Sequence, residues 1–411
     1  MTLTEARAAS QPPAAAGLDL RGHFSRFLGS APGRIHLAAH SHHYWPDVTR
    51  EAQIRCWDDA ARLADHKWGP VFEEVIPAVQ AGIARRLSLP DPATIAVGPN
   101  THDFVVRLLS CFPADRPVRI LTTGSEFHSF ARQVERLEEE GLVAVERVPA
   151  EPFGTFTERM AGAAAGGGHD LVFASEVFFD SGAIGADAAA LAEAIPDPAT
   201  FLVIDGYHAF MARPTDLSAV ADRTFYLGGG YKYAMAGEGA CFMHCPPGYA
   251  PRPRDTGWFA AFGALTGERS GVPYAVDGAR FLGATFDPSG LYRQRAVFEW
   301  LDREGIGVRR IHDHVLGLED RFLAGVREAA VRPLLSARLV TPVGPGIDRG
   351  HFLAFETPEA GRLCERLSAA GIVTDVRGDR LRFGFACYHT HEDIDGAVAA
   401  IAQALAAGPD A

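Results

Sequence analysis

No apolar run in the 411-residue chain approaches the roughly 20 residues that a membrane-spanning helix needs. Basic residues are in deficit, 39 Lys and Arg against 51 Asp and Glu, for a formal charge of −12. With no long basic stretch, this argues against nucleic acid or an anionic membrane surface as the main partner. Cysteine is scarce: six are scattered without the spacing of a disulfide framework, which suggests reduced thiols and a cytoplasmic setting. The first residues include Glu5, Pro12 and Pro13 but no apolar core, so a loose tail over 1–18 is expected rather than a secretory signal. Hydrophobic residues make up 47% of the chain and mean hydropathy is near zero, an ordinary soluble composition whose length suggests two domains.

The most informative stretch runs from Phe201 to Cys245. Phe201-Leu202-Val203-Ile204 is short, apolar and β-prone, as expected of a strand buried on both faces. Asp205 stands at its carboxyl end, where open α/β sheets place their ligands, and His208 follows three residues on. A second apolar run, Thr224-Phe225-Tyr226-Leu227, leads through three glycines into Tyr231-Lys232-Tyr233, and Ala240-Cys241-Phe242-Met243 reads as a third strand. An acid ending one strand and a lysine following the next can meet across one small ligand. A lysine among aromatics and glycines is partly desolvated, which favours the nucleophilic amine.

Upstream, strands are expected at Thr94–Val97, Arg119–Thr123, Val143–Val148 and Leu171–Ser175, with helical patterns between them, the signature of a mostly parallel sheet. Residues 48–88 read as long helices. Asn100 and Thr101 lie between a strand and a helix start, a geometry that holds a phosphate on backbone N–H groups. Phe127 follows the strand Arg119–Thr123, and Ser175 ends the strand Leu171–Ser175. His36, His40, His42 and His43 have no recognisable zinc spacing, so no metal is expected there. Cys241 to Cys245 reads as alternating strand residues rather than a metal knuckle.

Asp205-x-x-His208 followed by Gly-Tyr231-Lys232-Tyr233 resembles the cofactor site of fold-type I pyridoxal phosphate (PLP) enzymes of the class V aminotransferase group, which includes kynureninase. The resemblance implies an α/β fold with a large, mostly parallel sheet domain over 19–285 and a smaller α+β domain over 286–411. It implies PLP as cofactor, with Lys232 as the Schiff-base lysine, Asp205 on the pyridinium nitrogen and His208 near the ring's phenolic side. Tyr231, Asn100 and Thr101 are then expected at the phosphate, Phe127 stacked on the ring with His128 the rival by one register, and Ser175 in the loop region that passes over the cofactor. Thr256-Gly257-Trp258-Phe259 resembles the kynureninase loop that offers a glycine–tryptophan pair to the phosphate. Arg280 to Thr285 resembles a stretch whose threonine reaches the neighbouring subunit's phosphate, so a homodimer with a shared active site is implied.

The stretch Leu381 to Asp395 resembles the closing motif of class V enzymes, whose arginine binds the substrate's α-carboxylate; here that is Arg382. Kynureninases carry an asparagine-serine-leucine-glycine stretch lining the active site where this chain has His40-Ser41-His42-His43, so His40, Ser41 and His42 are expected at the substrate. Cys387 follows Arg382 instead of preceding it on a loop, which disfavours cysteine desulfuration. The expected activity is a kynureninase-like hydrolysis of the Cβ–Cγ bond of kynurenine or a related γ-substituted amino acid. Transamination and PLP-dependent C–S cleavage are the alternatives, and a non-catalytic binding module on the same fold is disfavoured by the combined presence of Asp205, His208, Lys232 and Arg382.

Overall fold

The apolar runs separated by glycine and polar turns form strands, and the computed structural model describes them within residues 18–264 and 271–406. Most of the tail expected over 1–18 therefore lies outside the described residues. The chain divides into two compact units. One comprises Thr49–Phe179 and Gly185–Trp300; the other comprises the segment up to Val48, Asp180–Ile184 and the chain from Leu301 onward. The boundary expected at 285/286 thus falls inside the larger unit, and the segment before Val48, expected in the large domain, belongs with the C-terminal one. The cause is strand pairing: β1 (Ile35–His36) runs parallel to β11 (Ile372–Val373).

In the larger unit β2 (Ile95–Gly98), β3 (Val118–Thr123), β4 (Val143–Val148), β5 (Leu171–Ser175), β6 (Phe201–Asp205), β7 (Thr224–Gly229) and β8 (Cys241–His244) form one sheet. The order is β2-β8-β7-β6-β5-β3-β4. Strands β3 to β7 run parallel, and β8 is antiparallel to both β7 and β2. Strands β5, β6 and β7 are buried along their whole length, as their apolar runs require, whereas edge strand β4 is buried only at its two ends. Helices Ile76–Arg86, Thr101–Leu109, His128–Glu139 and Phe156–Ala165 accompany it.

Strand order decides where a ligand can sit. From β3 the chain moves outward to β4, then returns to β5 on the other side of β3 and continues to β6 and β7. The connections leaving β3 and β5 therefore diverge at their carboxyl ends, which opens a crevice at this switch point.

In the smaller unit β9 (Arg338–Leu339), β10 (Phe352–Glu356), β12 (Asp375–Arg377) and β13 (Arg380–Gly384) form an antiparallel sheet in the order β12-β13-β10-β9. Helices Val308–Glu328, Ala360–Ala369 and His391–Ala406 belong to the same unit, and Phe322 of the first packs on Phe383 and Phe385. No helix among the described residues is long and apolar enough to cross a membrane.

Candidate active site

A cavity of about 140 Å³ opens at the switch point of the larger sheet. Its wall is made by residues that follow five different strands: Asn100 and Thr101 after β2, Phe127 after β3, Ser175 ending β5, Asp205 and His208 from β6, and Tyr231 and Lys232 after β7. Ten residues were expected at the cofactor, and eight of them meet here. Tyr207, Ser129, Val177 and Phe179 complete the lining and were not singled out from the sequence.

Lys232 and Asp205 are both buried. Lys232 Nζ donates to Nε2 of His208, and lies 5.2 Å from the centroid of the Phe127 ring and 5.4 Å from that of Tyr207. Cation–ring contacts of this kind supply part of the solvation that burial removes. Burial pushes the Asp205 carboxyl up from its ordinary range; the Tyr207 N–H, which donates to Oδ1 at 2.9 Å, and the charge of Lys232 pull the other way. The tight turn after β6 requires Gly206: a Cβ there would lie 1.9 Å from the Tyr226 hydroxyl oxygen. Asn100 caps helix Thr101–Leu109 by accepting from the Asp103 N–H at 2.9 Å, so the helix's first turn faces the cavity wall. Phe127 occupies the cap position of helix His128–Glu139 and packs edge-on against Phe179, with centroids 5.5 Å apart.

Trp258 and Thr285 stand apart from this cavity, and both are exposed. Their two stretches do meet each other: the Phe259 N–H donates to the Gly283 carbonyl at 3.0 Å, and a Cβ on Gly257 would lie 2.1 Å from that same oxygen.

The four residues expected at the substrate lie in the smaller unit. Arg382, on β13, is buried, and its Nη2 donates to Asp375 Oδ2 at 2.8 Å, an acid that the sequence did not single out. Its guanidinium carbon lies 5.6 Å from the Phe352 centroid. His40 is also fully buried, stacked on Phe352 at 4.8 Å, with Nε2 3.9 Å from the same Asp375 oxygen. Gly384 makes room for it, since a Cβ there would lie 2.1 Å from His40 Nδ1. Ser41 and His42 are half-buried, and His43 is buried with Nδ1 2.7 Å from the Tyr44 carbonyl oxygen. A further concavity in this unit, of about 260 Å³ beside His36 and Tyr388, has no lysine in its lining.

The cavity of the larger unit thus holds a buried amine, a buried carboxyl, a flat aromatic wall and a capped helix start. That set suits a planar, phosphorylated carbonyl compound with a basic ring nitrogen: an amine to condense with the carbonyl, an acid for the ring nitrogen, backbone N–H groups for the phosphate.

Residues 311–401 match the model of the kynureninase C-terminal domain. Solved structures match along nearly the whole chain. A variant of C-DES with glycine covalently linked to its PLP cofactor is 16% identical, with a TM-score of 0.76 over 93% of this chain and 98% of that one. The apo cysteine desulfurase of Thermococcus onnurineus NA1 is 16% identical, with a TM-score of 0.76 over 97% of this chain and 100% of its own. Escherichia coli CsdA, another cysteine desulfurase, is 16% identical with a TM-score of 0.72 over 94% and 97%. No sequence among the curated proteins matches the chain. The fold is therefore the α/β fold that the sequence resemblance implied, shared with fold-type I PLP enzymes of the class V group.

Proposed function

We propose that this chain is a PLP-dependent enzyme acting on an α-amino acid, with kynureninase-like hydrolysis of a Cβ–Cγ bond as its reaction. The observation that carries the cofactor reading is the convergence of Lys232, Asp205 and His208 on one cavity walled by Phe127. When bound, PLP supplies a protonated ring that accepts the electron pair left at a substrate carbon. Lys232 would hold the cofactor and, once released from it, carry the Cα proton. Asp205 would keep the ring nitrogen protonated, which its desolvated position suits, because a buried carboxylate without a cation is costly. Phe127 would fix the ring plane. Asn100, Thr101 and Tyr231 would take the phosphate. Arg382 would bind the substrate carboxylate through its planar fork. Trp258 and Thr285, exposed and carried on two stretches that meet at Phe259 and Gly283, are proposed to complete the site of a second copy.

The match of residues 311–401 to the kynureninase C-terminal domain favours carbon–carbon cleavage. The reaction adds water across the Cβ–Cγ bond, so that the γ-carbonyl carbon leaves as a carboxylic acid and the remainder as alanine. C–S lysis is the second reading, favoured by the likeness to C-DES, which is named a cystine C–S lyase. Desulfuration through Cys387 is disfavoured further by its burial, which pushes the thiol up to about 12 and leaves no thiolate to attack sulfur.

The test is a steady-state assay of PLP-loaded protein with L-kynurenine, following fluorescent anthranilate and released alanine, with Lys232→Ala as control. Turnover that the control lacks supports the hydrolase. No turnover, with the cofactor band still shifting when amino acids are added, rejects kynurenine but keeps the cofactor. Sulfur release from cystine would then establish the second reading.

A further inference from the structure

Behind the wall of the Lys232 cavity lies an acid that none of these roles uses. Glu126 closes the turn between β3 and helix His128–Glu139, is 2% exposed, and is not itself part of the lining. Its carboxyl accepts three hydrogen bonds. Oε1 takes the Thr123 hydroxyl at 2.7 Å and the Ser175 N–H at 3.3 Å; Oε2 takes the Ser175 hydroxyl at 2.6 Å. Ser175 is paired in register with Asp205 at the carboxyl ends of β5 and β6, so two buried acids stand at this end of the sheet. Burial, reinforced by the charge of Asp205, holds the Glu126 carboxyl up at about 7 even though the Ser175 and Thr123 bonds pull it down.

A serine hydroxyl has one hydrogen and two lone pairs. With that hydrogen committed to Glu126, Ser175 turns only lone pairs toward the cavity it lines. The same three bonds pin the turn whose next residue is Phe127, the cavity's aromatic wall. One buried carboxyl thereby sets the polar character of the β5 side and the ring position of the β3 side.

We propose that Glu126 is a positioning residue for the cofactor held in this cavity, acting through the Ser175 hydroxyl and the turn that carries Phe127. The inference rests on the PLP reading. Glu126→Gln keeps the shape but replaces one acceptor oxygen by an NH2 group, so at least one of the three bonds is lost.

The experiment measures the dissociation constant for PLP and the visible circular dichroism of the bound cofactor in wild type, Glu126→Gln, Ser175→Ala and the double variant. Thermal unfolding of the apo proteins reports folding separately. Each single variant is expected to weaken PLP capture about tenfold, the effect of one lost hydrogen bond to a charged group, and to reduce the dichroism. The double variant is expected to fall within about twofold of the weaker single, because residues acting through one another are not additive. Wild-type affinity and dichroism in Glu126→Gln, or losses that multiply in the double, would overturn the role. Should Glu126→Gln not fold, Ser175→Ala decides: weakened capture supports the inference and wild-type capture rejects it. A wild type that develops no cofactor band beyond that of Lys232→Ala rejects the PLP reading and this inference together, whereas a normal wild type with an unaffected Glu126→Gln rejects this inference alone.

Discussion

Arg382 carries a carboxylate from its own chain before any substrate arrives. Its Nη2 is bonded to Asp375 Oδ2 at 2.8 Å, so the substrate carboxylate proposed for Arg382 would share the guanidinium with Asp375. A planar fork with five N–H donors can serve two acids at once; the compact ammonium of lysine cannot do so in one fixed geometry. Arg382→Lys is therefore expected to raise KM for the amino acid about 10- to 100-fold, with a smaller change in kcat. A variant whose kcat falls while KM is unchanged would mean that Arg382 does not bind the ground-state carboxylate. Asp205→Asn separates two functions of the other site. PLP should still bind, because shape and phosphate contacts persist, but kcat should fall by at least about 100-fold because a neutral amide does not hold the ring nitrogen protonated. Rapid-quench turnover together with a PLP titration distinguishes these effects.

At the scale of the elements, the turn after β6 and helix Val308–Glu328 have little tolerance for change. Gly206 is hemmed in by Tyr226, whose hydroxyl donates to the buried Glu176 at 2.8 Å and so cannot swing aside without breaking that bond. Gly206→Ala is expected to destabilise the protein by about 1–3 kcal/mol, the usual cost of overpacking, read as a shift in the urea midpoint. In the smaller unit Arg349 Nε donates to Glu319 Oε2 at 2.6 Å, and both side chains are almost wholly excluded from water. Removing one partner strands the other charge. Arg349→Met should cost about 3–5 kcal/mol, and adding Glu319→Leu should restore most of it, because the desolvated charge is then gone. If the double variant is no more stable than the single, the pair is not where the loss originates.

For the whole molecule, acid sensitivity follows from buried neutral histidines. Burial is the first cause that lowers His36 to about 2, His43 to about 3, His389 to about 4 and His244 to about 4. The unfolded chain takes up these protons near pH 6.5, whereas the folded one resists until its lower values are reached. Their contribution to stability is therefore fully present above about pH 6.5 and is lost as pH falls through the folded values. Glu126, raised to about 7, acts in the opposite sense: its folded-state preference for the proton contributes below the unfolded carboxyl range and is lost as pH rises toward 7. Burial also lowers His351 and His314, and these six histidines outweigh the three raised carboxyls Glu126, Asp205 and Glu319, so the apo protein's Tm should decline between pH 6.5 and 4.5, and His43→Asn should flatten the slope. A Tm that stays level across that interval would show that these imidazoles are not held neutral.

Some of this protein was determined locally, within the reach of a few residues. The strands β2, β5, β6 and β7 are short apolar runs ended by glycine or polar residues, and their positions follow from that pattern alone. Asp205 and Lys232 were legible because each directly follows such a run or its glycine turn, where α/β sheets present side chains to ligands. Other features arose only when distant segments met. Glu126 reaches Ser175 across 49 positions because β3 and β5 are neighbours, and no periodicity along the chain encodes strand order. Asp375 finds Arg382 through the β12–β13 register, and His40 is drawn beneath Gly384 on Phe352 rather than left beside its sequence neighbours. The segment before Val48 groups with the C-terminal part because β1 pairs with β11. Backbone propensity and burial pattern act over a few residues, whereas the choice of partner between remote surfaces is made by packing and hydrogen bonding in the folded state.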